Sequence, residues 1–319
     1  MDRRWRRTRA LAVAVAASAC LAADAAPPIR AMLWVAPDAD RVRIFSTAPT
    51  ECLRRPRDPE AALAVEVGRA AFRTPTLLGG QAARARLTCE SCHRSGRDNP
   101  DFQFPGASGA PGSADVTLSL FSSHRGNGVH DPRPIPDLSG PRDRLKVAPA
   151  DLPEFIRGLI VEEFDGPQPS PATLAGLAAY VVALEPAACP RNARTPVTLS
   201  AVMGDTRRAL LAARAELVRD DRPTALLIIA TARAQLGLID ERYAALPAER
   251  ARLRAADAGL AALQSAVRDQ RTQGPAQLDR WLKNATVLEA ALAVREPRSL
   301  FNRAQLARAA NRRLPPKAS

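Results

Sequence analysis

Cys89-Glu90-Ser91-Cys92-His93 is the one stretch of this chain in which reactive side chains stand at a spacing that specifies a chemistry. In a Cys-x-x-Cys-His run the two thiols can form thioethers to the two vinyl groups of a haem, and the adjoining imidazole can turn onto the iron as an axial ligand. With five Cys and three His in 319 residues, such a run arises by chance in roughly one chain in a thousand, so the pattern is specific. Two other readings compete with it, a redox dithiol and half of a zinc site. A zinc site needs a second Cys or His pair at short spacing, and no such pair follows downstream.

Haem is attached in this way outside the cytoplasm, so the compartment bears directly on the reading. Met1 to Arg9 carries five Arg, and Ala10 to Ala23 is an almost unbroken Ala/Val/Leu run that ends at Ala23-Asp24-Ala25. A basic start, a short apolar core and an Ala-x-Ala site are the marks of a secretory signal peptide over residues 1–25. The expected location is therefore the periplasm. Ala17-Ser18-Ala19-Cys20 lacks the Leu that opens a lipoprotein box, so a lipid anchor at Cys20 is not expected. No later stretch reaches 18 consecutive apolar residues, so no membrane span is expected.

Cleavage there lowers the formal charge from +13 to +10 by removing five Arg and two Asp. A surface this basic favours acidic partners and speeds encounter with them, which suits a redox partner protein. Nucleic acid is not the expected partner, because aromatic residues make up only 4% and the Arg are scattered without a basic block. Cys89 and Cys92 belong to the motif. The remaining mature cysteines, Cys52 and Cys189, are expected to pair in an oxidising compartment and to clamp the ends of the segment between them.

The elements that must position the motif are helical. Residues 26–58 form a lead segment in which 31–35 and 41–45, flanking Pro37-Asp38-Ala39-Asp40, read as a short β-hairpin. Residues 59–190 form the motif-bearing domain. Its helices are expected at 59–72, at 151–164 on the stripe Leu152, Phe155, Ile156, Leu159, Ile160 and Phe164, and from Pro171 behind a Ser170 cap. Between Gly96 and Pro141 the density of Gly and Pro excludes regular structure, and a loop of that length inside a domain is usually functional. Residues 195–319 carry four or five amphipathic helices, the last over 300–310 with a basic tail, and read as a helical bundle without His or Cys. The fold class is all-α.

Gly68-x-x-x-Phe72 and Leu177-Ala178-Ala179-Tyr180 resemble the crossing helices of cytochrome c, in which a Gly and aromatic side chains allow close packing. The run Gly68 to Pro75, continued by Leu87-Thr88-Cys89, looks more like the bacterial di-haem cytochrome c peroxidases and their MauG-like relatives, with Thr74 and Thr88 standing where those have Asp and Ser. The resemblance covers roughly residues 60–186. It implies a cytochrome c-like haem domain with haem c bound through Cys89, Cys92 and His93. Those relatives carry two such motifs and this chain has one, so their two-haem relay does not transfer.

The sixth position on the iron stays open among His124, His130, Met32, Met203 and no protein ligand at all. His124, shortly before the Pro-rich stretch Pro132 to Pro136, is the nearest match to the distal His of the peroxidase-like domains; its competing reading is a surface loop residue. The expected function is that of a mono-haem electron-transfer protein. The alternative is a peroxidase-like oxidoreductase or small-molecule sensor with an open iron.

Overall fold

The computed structural model describes residues 29–126, 128–141, 147–190, 193–271 and 274–310. The signal segment, Cys20 and the basic tail lie outside them. The described residues fold mainly as helices, with two short antiparallel ribbons.

The lead segment corrects the expected hairpin. Arg30–Trp34 is a 3-10 helix and Arg41–Ser46 (α1) an α-helix, opened by the Asp40 carboxylate accepting from the Arg43 backbone N–H. Two isolated strands would leave their apolar residues without a sheet to cover. The helical turns instead gather Met32, Ile44 and Phe45 with Ile29 and Leu306 into a small core of their own. The strand that does form, Thr47–Pro49 (β1), pairs with the distant Arg194–Pro196 (β4).

Pro59–Ala71 (α2) begins where the sequence places it, with the Asp58 side chain accepting from Ala61 N–H and Pro at the first position. Two short helices follow, Gly80–Arg84 (α3) and Cys89–Cys92 (α4). After a 3-10 turn at Arg94–Gly96, the described residues up to 141 are irregular apart from a ribbon of Ser113–Ala114 (β2) with Arg133–Pro134 (β3). It is nevertheless knit by side chains: Asp115 accepts from Thr117 and Asp131 N–H, and the rings of Trp34, Phe104, Phe121 and Phe164 stack in sequence. The helix expected over 151–164 is an α-helix, Leu152–Gly158 (α5), that widens into a π-helical turn over Leu159–Glu163. Ile160 lies in the core, whereas Phe155, counted in the expected stripe, is 46% exposed.

Pro171–Ala183 (α6) is capped by Ser170, whose hydroxyl accepts from Thr173 N–H. It crosses α2 at Gly68 and Gly176. A Cβ on Gly68 would stand 1.8 Å from the Gly176 carbonyl oxygen, so only glycine lets the two backbones meet. One turn on, Phe72 and Tyr180 meet edge to face at 5.1 Å.

The C-terminal part contains Leu199–Val218 (α7), Arg222–Arg242 (α8), Pro247–Arg268 (α9), Pro275–Ala293 (α10) and Arg303–Ala310 (α11). Met203, Leu210, Ile228, Leu236, Leu260 and Leu278 are among the residues that fill its core. Leu211 and Val218 of α7 are exposed. Val67 and Ala70 of α2 belong to this same core, while Val65, Ala71 and Phe72 of α2 face the core of the motif-bearing part. One helix therefore supports both halves. No helix among the described residues is long and apolar enough to cross a membrane.

Candidate functional site

Phe72, at the end of α2, holds the start of the motif, because its carbonyl accepts from Glu90 N–H. Thr88 and Ser91 cap the turn reciprocally, each side chain meeting the other's backbone N–H. His93 N–H donates to Cys89 O at 2.8 Å, which places both thiols and the imidazole within little more than one turn. After His93 the chain reverses through Ser95 and Gly96, both in the left-handed region, and Asn99 donates its side-chain amide to Ser91 O.

The His93 ring is fixed from behind. Its Nδ1 lies 3.0 Å from the carbonyl oxygen of Pro136, which has no proton to give, so Nδ1 carries the hydrogen and Nε2 keeps its lone pair. Burial pushes the imidazole down to about 4, outweighing the opposing pull of the Pro136 carbonyl and the Asp137 carboxylate. At neutral pH the ring is uncharged and Nε2 is a donor atom awaiting an acceptor, the arrangement in which a ligating His is oriented by a backbone carbonyl. Pro136 is itself held: Asp137, next to it, accepts from Arg97 Nε at 2.7 Å and from the hydroxyl and N–H of Ser139. The Phe72 ring stands 6.4 Å from the imidazole.

Cys89 and Cys92 remain free thiols, partly exposed at the edge of the apolar cluster that also contains Ile135, Leu138, Ile156 and Leu174. Burial raises both thiols to about 12. A redox dithiol needs the opposite, a thiol lowered toward neutrality, so the pair does not read as a reactive dithiol. Among the described residues no three His, Cys, Asp or Glu side chains converge as they would around a metal ion. A haem makes no such demand, because its iron takes four nitrogens from the porphyrin and needs only His93 from this turn. The residues present therefore fit haem c better than zinc.

Cys52 and Cys189 are joined, with their Cα atoms 4.1 Å apart. Beside them β1 pairs with β4 and Leu53 bridges to Leu184, so the two ends of the motif-bearing segment are stapled covalently and by backbone.

The sixth-ligand candidates are scattered. Met32 lies in the lead-segment core and Met203, fully buried, in that of the bundle. His130 is exposed. His124 is 62% exposed, with Nε2 3.9 Å from Asp165 Oδ1, and no contact joins it to His93. Of the arginines flanking the motif, Arg84 donates to Gln81, Arg86 approaches Glu241, Arg94 donates to the Ile44 and Thr47 carbonyls, and Arg97 holds Asp137.

Sequence reasoning missed a buried ionic network behind the motif. Arg69 of α2 and Arg73, two residues beyond its end, both reach Glu51, which also accepts from the Tyr180 hydroxyl at 2.6 Å. Arg69 continues to Asp205 of α7 at 3.0 Å and Arg73 to Glu90 of the motif at 3.3 Å. Burial alone would raise Glu51, yet Arg73 and Arg69 together bring it down to about 2. Burial raises Glu90, outweighing the opposing pull of Arg73, the Ser95 N–H and Arg69. The network links lead segment, motif and bundle, so motif placement depends on all three. Arg69 and Arg73 stand four apart in sequence, but the helix expected over 59–72 ends before Arg73, so no periodic signal marks the pair.

No protein-family model matches this chain, and neither a curated protein nor a solved structure is similar enough to match it.

Proposed function

We propose that this chain is an exported mono-haem c-type cytochrome whose haem is held by thioethers to Cys89 and Cys92 and by His93 on the iron, and that it transfers electrons. The observation that carries the reading is the contact of His93 Nδ1 with Pro136 O on the turn that bears both thiols. That contact selects the tautomer, aims the ring and leaves Nε2 available. When bound, the haem supplies a one-electron couple on its iron. The chain's own residues orient and enclose it: Phe72 backs the imidazole, the Thr88–Ser91 cap fixes the spacing of the thiols, and Ile135, Leu138, Ile156 and Leu174 offer partly exposed apolar surface for a macrocycle to cover. The close crossing of α2 and α6 at Gly68 and Gly176, with Phe72 against Tyr180, adds support from packing. The charge of +10 left after cleavage suits an acidic redox partner, and the periplasm suits both the signal segment and the Cys52–Cys189 pair.

A second reading has an observation of its own. Met32 and Met203 are locked in other cores, and His124 faces solvent and Asp165. An iron left with His93 alone would be open to peroxide or a gas, as a peroxidase-like enzyme or sensor requires. Electron paramagnetic resonance of the ferric protein separates the two. The electron-transfer reading expects a low-spin signal, converted to high-spin by His124→Ala where His124 is the sixth ligand. A low-spin signal unchanged in that variant removes His124 from the iron, and a high-spin wild type with rapid peroxide turnover overturns electron transfer in favour of the open site.

A further inference from the structure

On the face of the motif turn opposite Cys89, Cys92 and His93 lies a cavity of about 350 Å³, bounded by the lead segment, the motif turn and the bundle. Thr88, Glu90 and Ser91 line it; the two thiols and His93 do not. It is separate from the proposed haem site.

Two cations converge on this cavity without a carboxylate. Arg242, 8% exposed, donates to the Leu300 and Phe45 carbonyls, and Arg94 donates through Nη2 to those of Ile44 and Thr47; neither has an acidic group within ion-pair distance among the described residues. Burial, together with the charge of Arg94, pushes Arg242 down to about 10, so the two guanidinium groups repel. The acids that line the same space are otherwise engaged: Glu90 by Arg73, Asp205 by Arg69 and Glu241 by Arg86. Glu90 and Glu241 act on Arg94 and Arg242 only from beyond ion-pair distance, so the two largely desolvated cations remain costly to bury, and an anion between them lowers that cost.

The cavity also contains an unanswered acceptor. Gln235 lines it, is 6% exposed, and its Oε1 has no hydrogen-bond partner. A buried carbonyl oxygen of this kind calls for a donor from whatever fills the space. The remaining lining is aromatic and apolar, with Trp34, Phe45, Phe102 and Phe301 among it, and Arg242 lies against the Phe45 and Phe301 rings at 6.0 and 5.5 Å. The volume lies in the range of small-molecule sites.

We infer that this cavity binds a small aromatic hydroxy acid, with its carboxylate between Arg94 and Arg242, its ring among the aromatic side chains and its hydroxyl donating to Gln235 Oε1. Neither thiol nor His93 is required, so binding is independent of the haem assignment.

Titration calorimetry and thermal unfolding of the mature chain with 4-hydroxybenzoate and 4-hydroxycinnamate test it, with 4-hydroxybenzamide and tyramine as neutral and cationic counterparts. At least one acid binds and raises the melting temperature, the amide binds at least about tenfold more weakly, and tyramine does not bind. Gln235→Leu, which touches no other hydrogen bond at Oε1, weakens the hydroxy acid about tenfold while leaving benzoate, which has no donor for that oxygen, unchanged. The inference is overturned by failure of both acids to bind the wild type at millimolar concentration, by tyramine binding as tightly as the acids, or by a Gln235→Leu variant that binds the hydroxy acid undiminished. The wild-type comparison decides the charge requirement by itself should the variant misfold.

Discussion

Replacing Gly68 by Ala tests the packing that positions the motif. A methyl group there would stand 1.8 Å from Gly176 O, 2.2 Å from Gly176 C and 2.7 Å from Leu177 N, all backbone atoms that no rotamer change can move. Ordinary contact begins at 3.4 Å, so α2 and α6 must separate locally by roughly 1.6 Å. A gap of that size forfeits a large part of the dispersion between the facing side chains, and overpacking that shifts backbone costs about 3 kcal/mol, the top of its usual range. Ala in mid-helix returns up to about 1 kcal/mol of propensity, for a net loss of about 2 kcal/mol. Gly204 provides the control: it too lies in a helix, but the nearest atom to a Cβ there is Arg208 Nη1 at 3.8 Å, so Gly204→Ala gains about 0.5–1 kcal/mol. Urea unfolding at fixed pH, with both variants fitted to a shared slope, measures the two effects. A Gly68→Ala protein within about 0.5 kcal/mol of wild type, or a Gly204→Ala protein destabilised to the same extent, refutes the close-crossing argument.

Glu51 links stability to pH. Its folded-state pKa of about 2 lies below the ordinary value of 4.5. Its contribution is therefore present above pH 4.5 and is lost as pH falls through about 2, amounting to roughly 3 kcal/mol. Glu51→Gln should flatten the acid limb of the stability curve, and an unaltered limb contradicts the network. Cys52→Ser with Cys189→Ser opens a loop of 137 residues and should cost up to about 5 kcal/mol by chain entropy, seen as a lower urea midpoint that reductant does not lower further. A midpoint equal to that of the oxidised wild type tells against the staple. Shifting the carbonyl that holds His93 should matter more for the ring than for the fold: Asp137→Ala, which releases the Arg97 and Ser139 contacts beside Pro136, should broaden the spectroscopic signature of the axial ligand while keeping the helical circular dichroism. An unchanged signature contradicts the positioning role of that loop.

Local signals carried much of the architecture. Asp58 and Pro59, Ser170 and Pro171, and Asp221 and Pro223 each open a helix where cap and N-terminal proline chemistry place it. The paired cysteines followed from counting those the motif leaves over. The lead segment misled because Arg41-Val42-Arg43-Ile44-Phe45 alternates like a strand, and only the tertiary cluster with Leu306, far away in sequence, makes a helical turn the better way to bury Ile44 and Phe45. The partners of the motif were illegible for the same reason. Pro136 reaches His93 across 43 residues of irregular chain, and Glu51, Tyr180 and Asp205 meet at sequence separations that no periodicity encodes. Charges of this kind are placed by the fold as a whole, whereas the Cys-x-x-Cys-His run lies within five consecutive residues.

Covalent haem at Cys89 and Cys92 is the central claim, and intact-protein mass spectrometry under denaturing conditions tests it most directly. The chain, exported from a host that ligates haem in its periplasm, should retain the added mass of one haem after denaturation, and Cys89→Ala with Cys92→Ala should lose it while keeping the helical circular dichroism. A wild-type mass equal to that of the bare polypeptide, obtained where a known c-type cytochrome is matured normally, would contradict it.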